Sequence, residues 1–273
     1  MVKTMKLKDK LLYRLSKNQL ARNKQFKNLH KGECCYIFGN GASIKSMNLA
    51  KFNDRIAIGC NSLFLHYDFE QLNCRYYQIP PSFLFYRFRK FYGKLQRNYL
   101  GDLYRNKIQA HPRTNFFTNI SNMLNMQGAN IFYEHHFGYK KSDPEQCALD
   151  DIFSYTESAT TAMLGMAIYM GFEQAILVGI DYTFSPRWGS HFFEKGRGVA
   201  SPNNDEIYYK SFFEECQNHI DLTVLTLDGI RSNMKYQSYS EYVCEPSNYK
   251  ENTEIVAKES LVYLHKQGFY SIY

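Results

Sequence analysis

The stretch SATTAMLGMAIYMGFEQAILVGID, residues 158–181, constrains the fold more than any other in the chain. Ser158-Ala159-Thr160-Thr161 precedes a run in which Ala162, Leu164, Ala167, Ile168 and Met170 are apolar, and Gly171 stands where a helix terminator belongs. Residues 175–178 then read as a short buried strand closed by Gly179-Ile180-Asp181. Helix, glycine, strand and an acid at the strand's carboxyl end make an α/β module, and ligands of open α/β sheets bind at that edge.

Further strands are expected at 34–38, closed by Gly39 and Gly41, at 55–60, ending before Asn61, and at 74–79, closed by Pro80-Pro81. Shorter candidates lie at 115–118, 130–133 and 222–227. Residues 82–100, aromatic and basic, are expected to be helical, as are 205–219 and 251–267. Residues 182–204 replace periodicity with turn chemistry such as Ser185-Pro186 and Gly196-Arg197-Gly198. A connection of that length in a compact domain reads as a lid or binding loop. With no repeat or linker, the sequence predicts one Rossmann-like α/β domain over 34–273 with a mostly parallel sheet, preceded by a basic helix over 1–33.

The net charge of +7 is concentrated at the start of the chain. Lys3, Lys6, Lys8, Lys10, Arg14, Lys17, Arg22, Lys24, Lys27 and Lys31 face the single acid Asp9, and Leu7, Leu11, Leu12, Leu15 and Leu20 recur at roughly helical spacing. Such a helix either meets an anionic membrane surface through residues 1–31 or packs on its own domain by the leucine face. No comparable basic patch follows, so nucleic acid is not an expected partner. No apolar run approaches the roughly 18 residues of a membrane span. Seven cysteines without a C-x-x-C pair point away from zinc and a disulfide framework and toward a reducing cytoplasm.

Gly39-Asn40-Gly41-Ala42-Ser43 fits neither G-x-x-x-x-G-K-[ST] nor G-x-G-x-x-G. It is a tight turn, or a corner whose N–H groups, Asn40 amide and Ser43 meet a nucleotide. Asn61 would lie beside it if the first two strands are neighbours. Asp181 either orients a ligand or anchors its own loop. His191 is a candidate base on a glycine-rich segment, since a loop imidazole can accept a proton from a hydroxyl. Its rival is His135-His136, whose side chains would point to opposite faces of a strand. Arg187, Lys195 and Arg197 are candidate partners for a phosphate or carboxylate.

Together these segments resemble the bacterial CMP-sialic acid-dependent sialyltransferases, which have a GT-A-like variant fold. The likeness lies in GNGAS, in Cys60-Asn61, in YYQIPPSFLF at 76–85 and in AIYMGFEQAILVGID at 167–181. The last unit, with Gly189-Ser190-His191-Phe192, also resembles surface-glycan proteins related to methyl-pterin diphosphokinase-like and motility accessory factor families. The resemblance implies a glycosyltransferase moving sialic acid or a related keto-sugar acid from a CMP donor onto a surface glycan such as lipooligosaccharide or capsule. It implies no obligatory metal, since no D-x-D motif is present. Gly39, Asn40, Gly41, Ser43, Asn61, Ser158, Thr160 and Thr161 would bind the nucleotide, with His191 as base and Tyr182 and Asp181 beside it. The family's catalytic histidine falls on Ala200, and its serine-glycine turn before the helix falls on Ala159-Thr160. A cytoplasmic enzyme peripherally bound to the inner membrane fits this implication. A metal-dependent diphosphokinase-type phosphotransferase, a UDP or GDP donor, and a non-catalytic binding protein are the alternatives.

Overall fold

A computed structural model describes residues 7–91, 94–135, 147–151, 153, 158–201 and 210–272. The core is an eight-stranded sheet. In chain order the strands are β1 (Cys34–Phe38), β2 (Ile56–Cys60), β3 (Cys74–Ile79), β4 (Asn115–Asn119), β5 (Ile131–Glu134), β6 (Gln174–Val178), β7 (Asp221–Thr226) and β8 (Tyr236–Ser238). Their order across the sheet is β8-β7-β6-β1-β2-β3-β4-β5, and every neighbouring pair is parallel. The chain therefore winds outward from β1 to β5 and returns to the opposite side of β1 as β6. A topological switch point results between β1 and β6.

Parallel strands buried on both faces need apolar residues at successive positions, and β1 and β6 supply them. Tyr36 and Phe38 point to one layer, Cys35 and Ile37 to the other. The first layer is closed by Leu49, Phe52 and Phe64 from the short helical turns after β1 and β2, with Tyr104 and Leu264 behind them. The second is closed by α3 (Ala159–Met170), which is buried almost all round. α3 starts in a capping box, where Ser158 Oγ accepts from the Thr161 N–H and Thr161 Oγ1 accepts from the Ser158 N–H. It stops at Gly171, whose φ of +85° supplies the left-handed cap.

The basic N-terminal segment forms α1 (Leu7–Ala21) and a 3-10 turn (Arg22–Phe26) docked on the domain. Asn23 Nδ2 donates to the carbonyls of Tyr133 and Leu149, both at 2.7 Å, and Phe26 packs among Tyr76, Phe117 and Phe132. Leu20 is buried and Leu15 is exposed, so only part of the leucine stripe faces the domain.

The expected helix over 82–100 is not formed. Phe88–Phe91 pairs antiparallel with Lys94–Arg97, and α2 (Tyr99–Ala110) begins only where Asn98 caps it. Tyr-Arg-Phe-Arg-Lys-Phe, residues 86–91, is rich in β-prone aromatics, and Asn98 fixes where a helix can start. The helix expected over 251–267 divides into α5 (Asn252–Ile255) and α6 (Lys258–Lys266), because extended Val256 bridges to His66 between them. Of the helix expected over 205–219, α4 (Lys210–Cys216) is described, and 205–209 lie outside the described residues, as does His136.

Candidate functional site

The site grows from the carboxyl ends of β1 and β6. The ladder continues past both strands, with Gly39 N–H donating to Val178 O and Gly41 N–H to Gly179 O, each at 2.8 Å. That closeness leaves no room for a Cβ. One on Gly39 would stand 2.3 Å from Gly179 O, and one on Gly41 would stand 2.3 Å from the Asp181 carboxyl carbon. Asp181 is buried and bonded to the corner, its Oδ2 accepting from the Ser43 N–H at 2.8 Å and its Oδ1 from the Ser43 hydroxyl at 2.5 Å. Burial pushes the Asp181 carboxyl up to about 6, opposed by the two Ser43 donors. Asp181 thus ties the β1 corner to the β6 end.

Asn40 is committed in the same way. Its amide donates to Cys60 O at 3.0 Å and Cys60 Sγ at 3.1 Å, and its Oδ1 accepts from the Ser62 N–H at 3.1 Å. Asn61 differs. It adopts φ +48° with its carbonyl held by the Tyr77 hydroxyl at 2.9 Å, and among the described residues nothing hydrogen-bonds its side-chain amide.

The corner opens onto a cavity of about 300 Å³ whose wall includes Gly39, Asn40, Gly41, Asn61, Asp181 and His191. Ser158, Ala159, Thr160, Tyr182 and Trp188 complete its lining with Cys60 and neighbouring backbone. The N-terminus of α3 therefore ends at the cavity, and its first-turn N–H groups favour an anion there. Ser43 and Thr161 sit just behind the wall, Ser43 on Asp181 and Thr161 in the capping box.

The segment expected as a lid is braced. Phe184–Ser185 pairs with Arg231–Ser232, and Trp188–Gly189 with Val199–Ala200. Phe192 N–H donates to Asn40 O at 3.0 Å, beside a bridge between Gly41 and His191. Lys45, whose side chain is fully buried, donates to the carbonyls of Glu194 and Gly196 and pairs with Glu251 at 3.3 Å. Burial lowers the Lys45 pKa, opposed by Glu251. Burial of Glu251 opposes ionisation, but donors from Asn252, Tyr249 and Gly196 together with Lys45 hold its carboxyl at about 2.

His191 stands half-exposed at the cavity mouth, stacked on Phe193 with centroids 4.9 Å apart. Its Nδ1 lies 3.4 Å from Glu194 Oε2, which also accepts the His191 backbone N–H at 2.7 Å. The bond from His191 lowers the Glu194 pKa against the effect of burial, so the carboxylate stays ionised. With Nδ1–H directed at Glu194, Nε2 carries the ring's lone pair.

Of the residues expected at the site, Arg187, Lys195 and Arg197 do not line the cavity. The Arg197 guanidinium stacks over Tyr249 at 4.1 Å, and the Lys195 backbone N–H is held by Ser271 O at 2.7 Å. Lys45, Glu194 and Trp188 were not singled out in the sequence. His191-Phe-Phe-Glu194 is the signal that was available, since a turn brings an acid three residues on back to the histidine.

No protein-family model matches the chain, and no curated protein matches it in sequence. Two solved structures are similar in fold. One is the sialyltransferase CstII from Campylobacter jejuni in complex with a substrate analogue, cytidine-5'-monophosphate, at 18% identity and a TM-score of 0.40, covering 71% of this chain and 80% of that one. The other is a substituted form of the sialyltransferase Cst-II in complex with CMP, at 15% identity and a TM-score of 0.39, covering 86% and 98%. Likenesses this distant transfer neither residues nor activity.

Proposed function

We propose that the chain is a glycosyltransferase whose cavity at the β1/β6 switch point holds a nucleotide-activated sugar. One observation carries this reading: an anion-favouring helix N-terminus, an uncommitted Asn61 amide and a carboxylate-backed histidine meet around one cavity. In this reading the donor phosphate lies at the start of α3 and Asn61 hydrogen-bonds the nucleotide. Nε2 of His191 takes the proton of an acceptor hydroxyl, whose oxygen bonds to the anomeric carbon. The anomeric C–O bond to the phosphate breaks, and its electron pair leaves with the nucleotide. Glu194 stabilises the imidazolium that forms.

A CMP-linked sialic acid or related sugar acid is the proposed donor, supported by the sequence resemblance of the GNGAS and Cys60-Asn61 corners. A surface glycan is the proposed acceptor. Peripheral placement on the cytoplasmic leaflet through residues 1–31 is proposed with it, from the basic charge of that segment.

The test is a thermal-shift panel of CMP, UDP and GDP, since a ligand of the folded state raises its melting temperature. CMP is expected to raise it in the wild type and not in Asn61→Ala. A shift with UDP or GDP alone would overturn the donor. Transfer from CMP-sialic acid is expected to fall by about 10²-fold or more in His191→Ala, and unchanged turnover would remove His191 as base.

A further inference from the structure

The hairpin of Phe88–Phe91 and Lys94–Arg97 lies outside the sheet and takes no part in the site. From Arg87 to Arg97 the sequence carries Arg87, Arg89, Lys90, Lys94 and Arg97 and no acid. Arg97 is paired with Asp102 at 3.0 Å, which leaves the other four cations without an acid inside the hairpin. Phe88 and Leu95 are 53% and 68% exposed. The register pairs Phe88 with Arg97 and Lys90 with Leu95, so Phe88, Leu95 and Arg97 share one face of the ribbon. Arg87 lies over the Phe88 ring at 5.6 Å. Phe83 at 54% and Leu124 at 76% add exposed apolar surface nearby, tied together by the Phe83 N–H donating to Ser121 Oγ.

The base of this projection is held firmly. Asn98 donates to the carbonyls of Leu84 and Tyr86, its N–H donates to Arg87 O at 2.9 Å, and Arg105 holds Phe85 O at 2.9 Å. A firmly held base with exposed large apolar groups in a stretch whose sequence has cations and no acid suits a surface that is apolar beneath and anionic above. A single exposed leucine needs no explanation, but this combination is the chemistry of interfacial binding.

We propose that the hairpin docks on an anionic lipid surface, Phe88 and Leu95 entering the headgroup boundary and the hairpin's cations meeting lipid phosphates. The hairpin springs from the carboxyl end of β3, and in a parallel sheet that is the edge that carries the cavity. Docking would therefore turn the cavity-bearing edge toward the bilayer. The proposal is independent of the donor and of the chemistry proposed above, and also of residues 1–31.

The test uses the full chain and sedimentation with vesicles of phosphatidylcholine alone or mixed with phosphatidylglycerol. Wild type is expected to bind the mixed vesicles and release at high salt. Phe88→Ser/Leu95→Ser is expected to bind about tenfold or more weakly. Arg87→Glu/Lys90→Glu is expected to lose a similar factor. Circular dichroism matching wild type would show that these exposed substitutions leave the fold intact. Glutamine at Lys3, Lys6, Lys8 and Lys10 serves as comparator, and in that background the hairpin substitutions should still weaken binding. Unchanged binding in both hairpin variants would overturn the proposal. So would loss in the charge variant alone matched by equal loss on heparin, which would mark a polyanion site without apolar insertion.

Discussion

Gly41→Ala tests the geometry of the corner most directly. The added methyl would stand 2.3 to 2.5 Å from all three atoms of the Asp181 carboxyl group, well inside any real contact. The carboxylate must then swing away, and the bonds of 2.8 and 2.5 Å from the Ser43 N–H and hydroxyl stretch beyond range. Ser43 and Asp181 are both buried, so water does not replace those partners. Hydrogen bonds to a charged group contribute about 1.5–3 kcal/mol each, so losing both predicts about 3–6 kcal/mol. That is a large share of the roughly 5–15 kcal/mol that holds a domain together. Urea unfolding followed by circular dichroism measures it. The decisive comparison is a cycle with Asp181→Gly, which removes the clashing group. Gly41→Ala/Asp181→Gly should cost little more than Asp181→Gly alone, a strongly non-additive result. Additive costs would refute the reasoning, since they would mean that the methyl meets something other than Asp181.

Asn40→Ala should cost about 1–3 kcal/mol of stability, because it leaves the Ser62 N–H unpaired and takes one of two donors from Cys60 O, which keeps the Tyr77 hydroxyl. Asn61→Ala should cost no more than the roughly 1 kcal/mol of an alanine at φ +48° and act chiefly on nucleotide binding; the reverse pattern in a paired melt would exchange their roles. Lys45→Met should cost about 1–3 kcal/mol and speed tryptic cleavage after Lys195 and Arg197, because it leaves the carbonyls of Glu194 and Gly196 without their buried donor, while Glu251 keeps its donors from Asn252, Tyr249 and Gly196. Equal digestion rates would show that Lys45 does not brace the loop. Burial raises the Glu134 carboxyl to about 8 against the lowering effect of Gln78, so the folded state keeps a proton that the unfolded chain releases near the usual carboxylate range. Glu134 therefore costs nothing below that range and progressively destabilises the fold as pH rises through about 8. Glu134→Gln should gain on wild type in melting temperature from pH 6 to about 9, and parallel curves would rule this out.

The sheet and its switch point were legible because strands buried on both faces must be apolar at successive positions, and β1 and β2 are so throughout and β6 is so after Gln174. β8 was not, being short and polar, and the hairpin at 88–97 was mistaken for helix because aromatic and basic residues fit both periods until Asn98 fixes the helix start. The cavity wall was largely legible, since Asn61, Ser158, Thr160, Asp181, Tyr182 and His191 all reach it. What could not be read was which polar group is already engaged. Asn40 and Asn61 look alike in sequence, yet the partners of Asn40 are backbone groups of a neighbouring strand end, known only once β1 and β2 lie side by side. The same holds for the glycines of GNGAS. They read as turn residues, but neither Gly39 nor Gly41 adopts a positive φ. Both are glycine because another backbone or carboxylate occupies the place of a side chain. Gly196 has the opposite character, with φ +83° and nothing within 4 Å of an added Cβ. Alanine at Gly196 should therefore cost only the roughly 1 kcal/mol of a left-handed backbone, whereas alanine at Gly41 disrupts the contact that joins the two halves of the sheet.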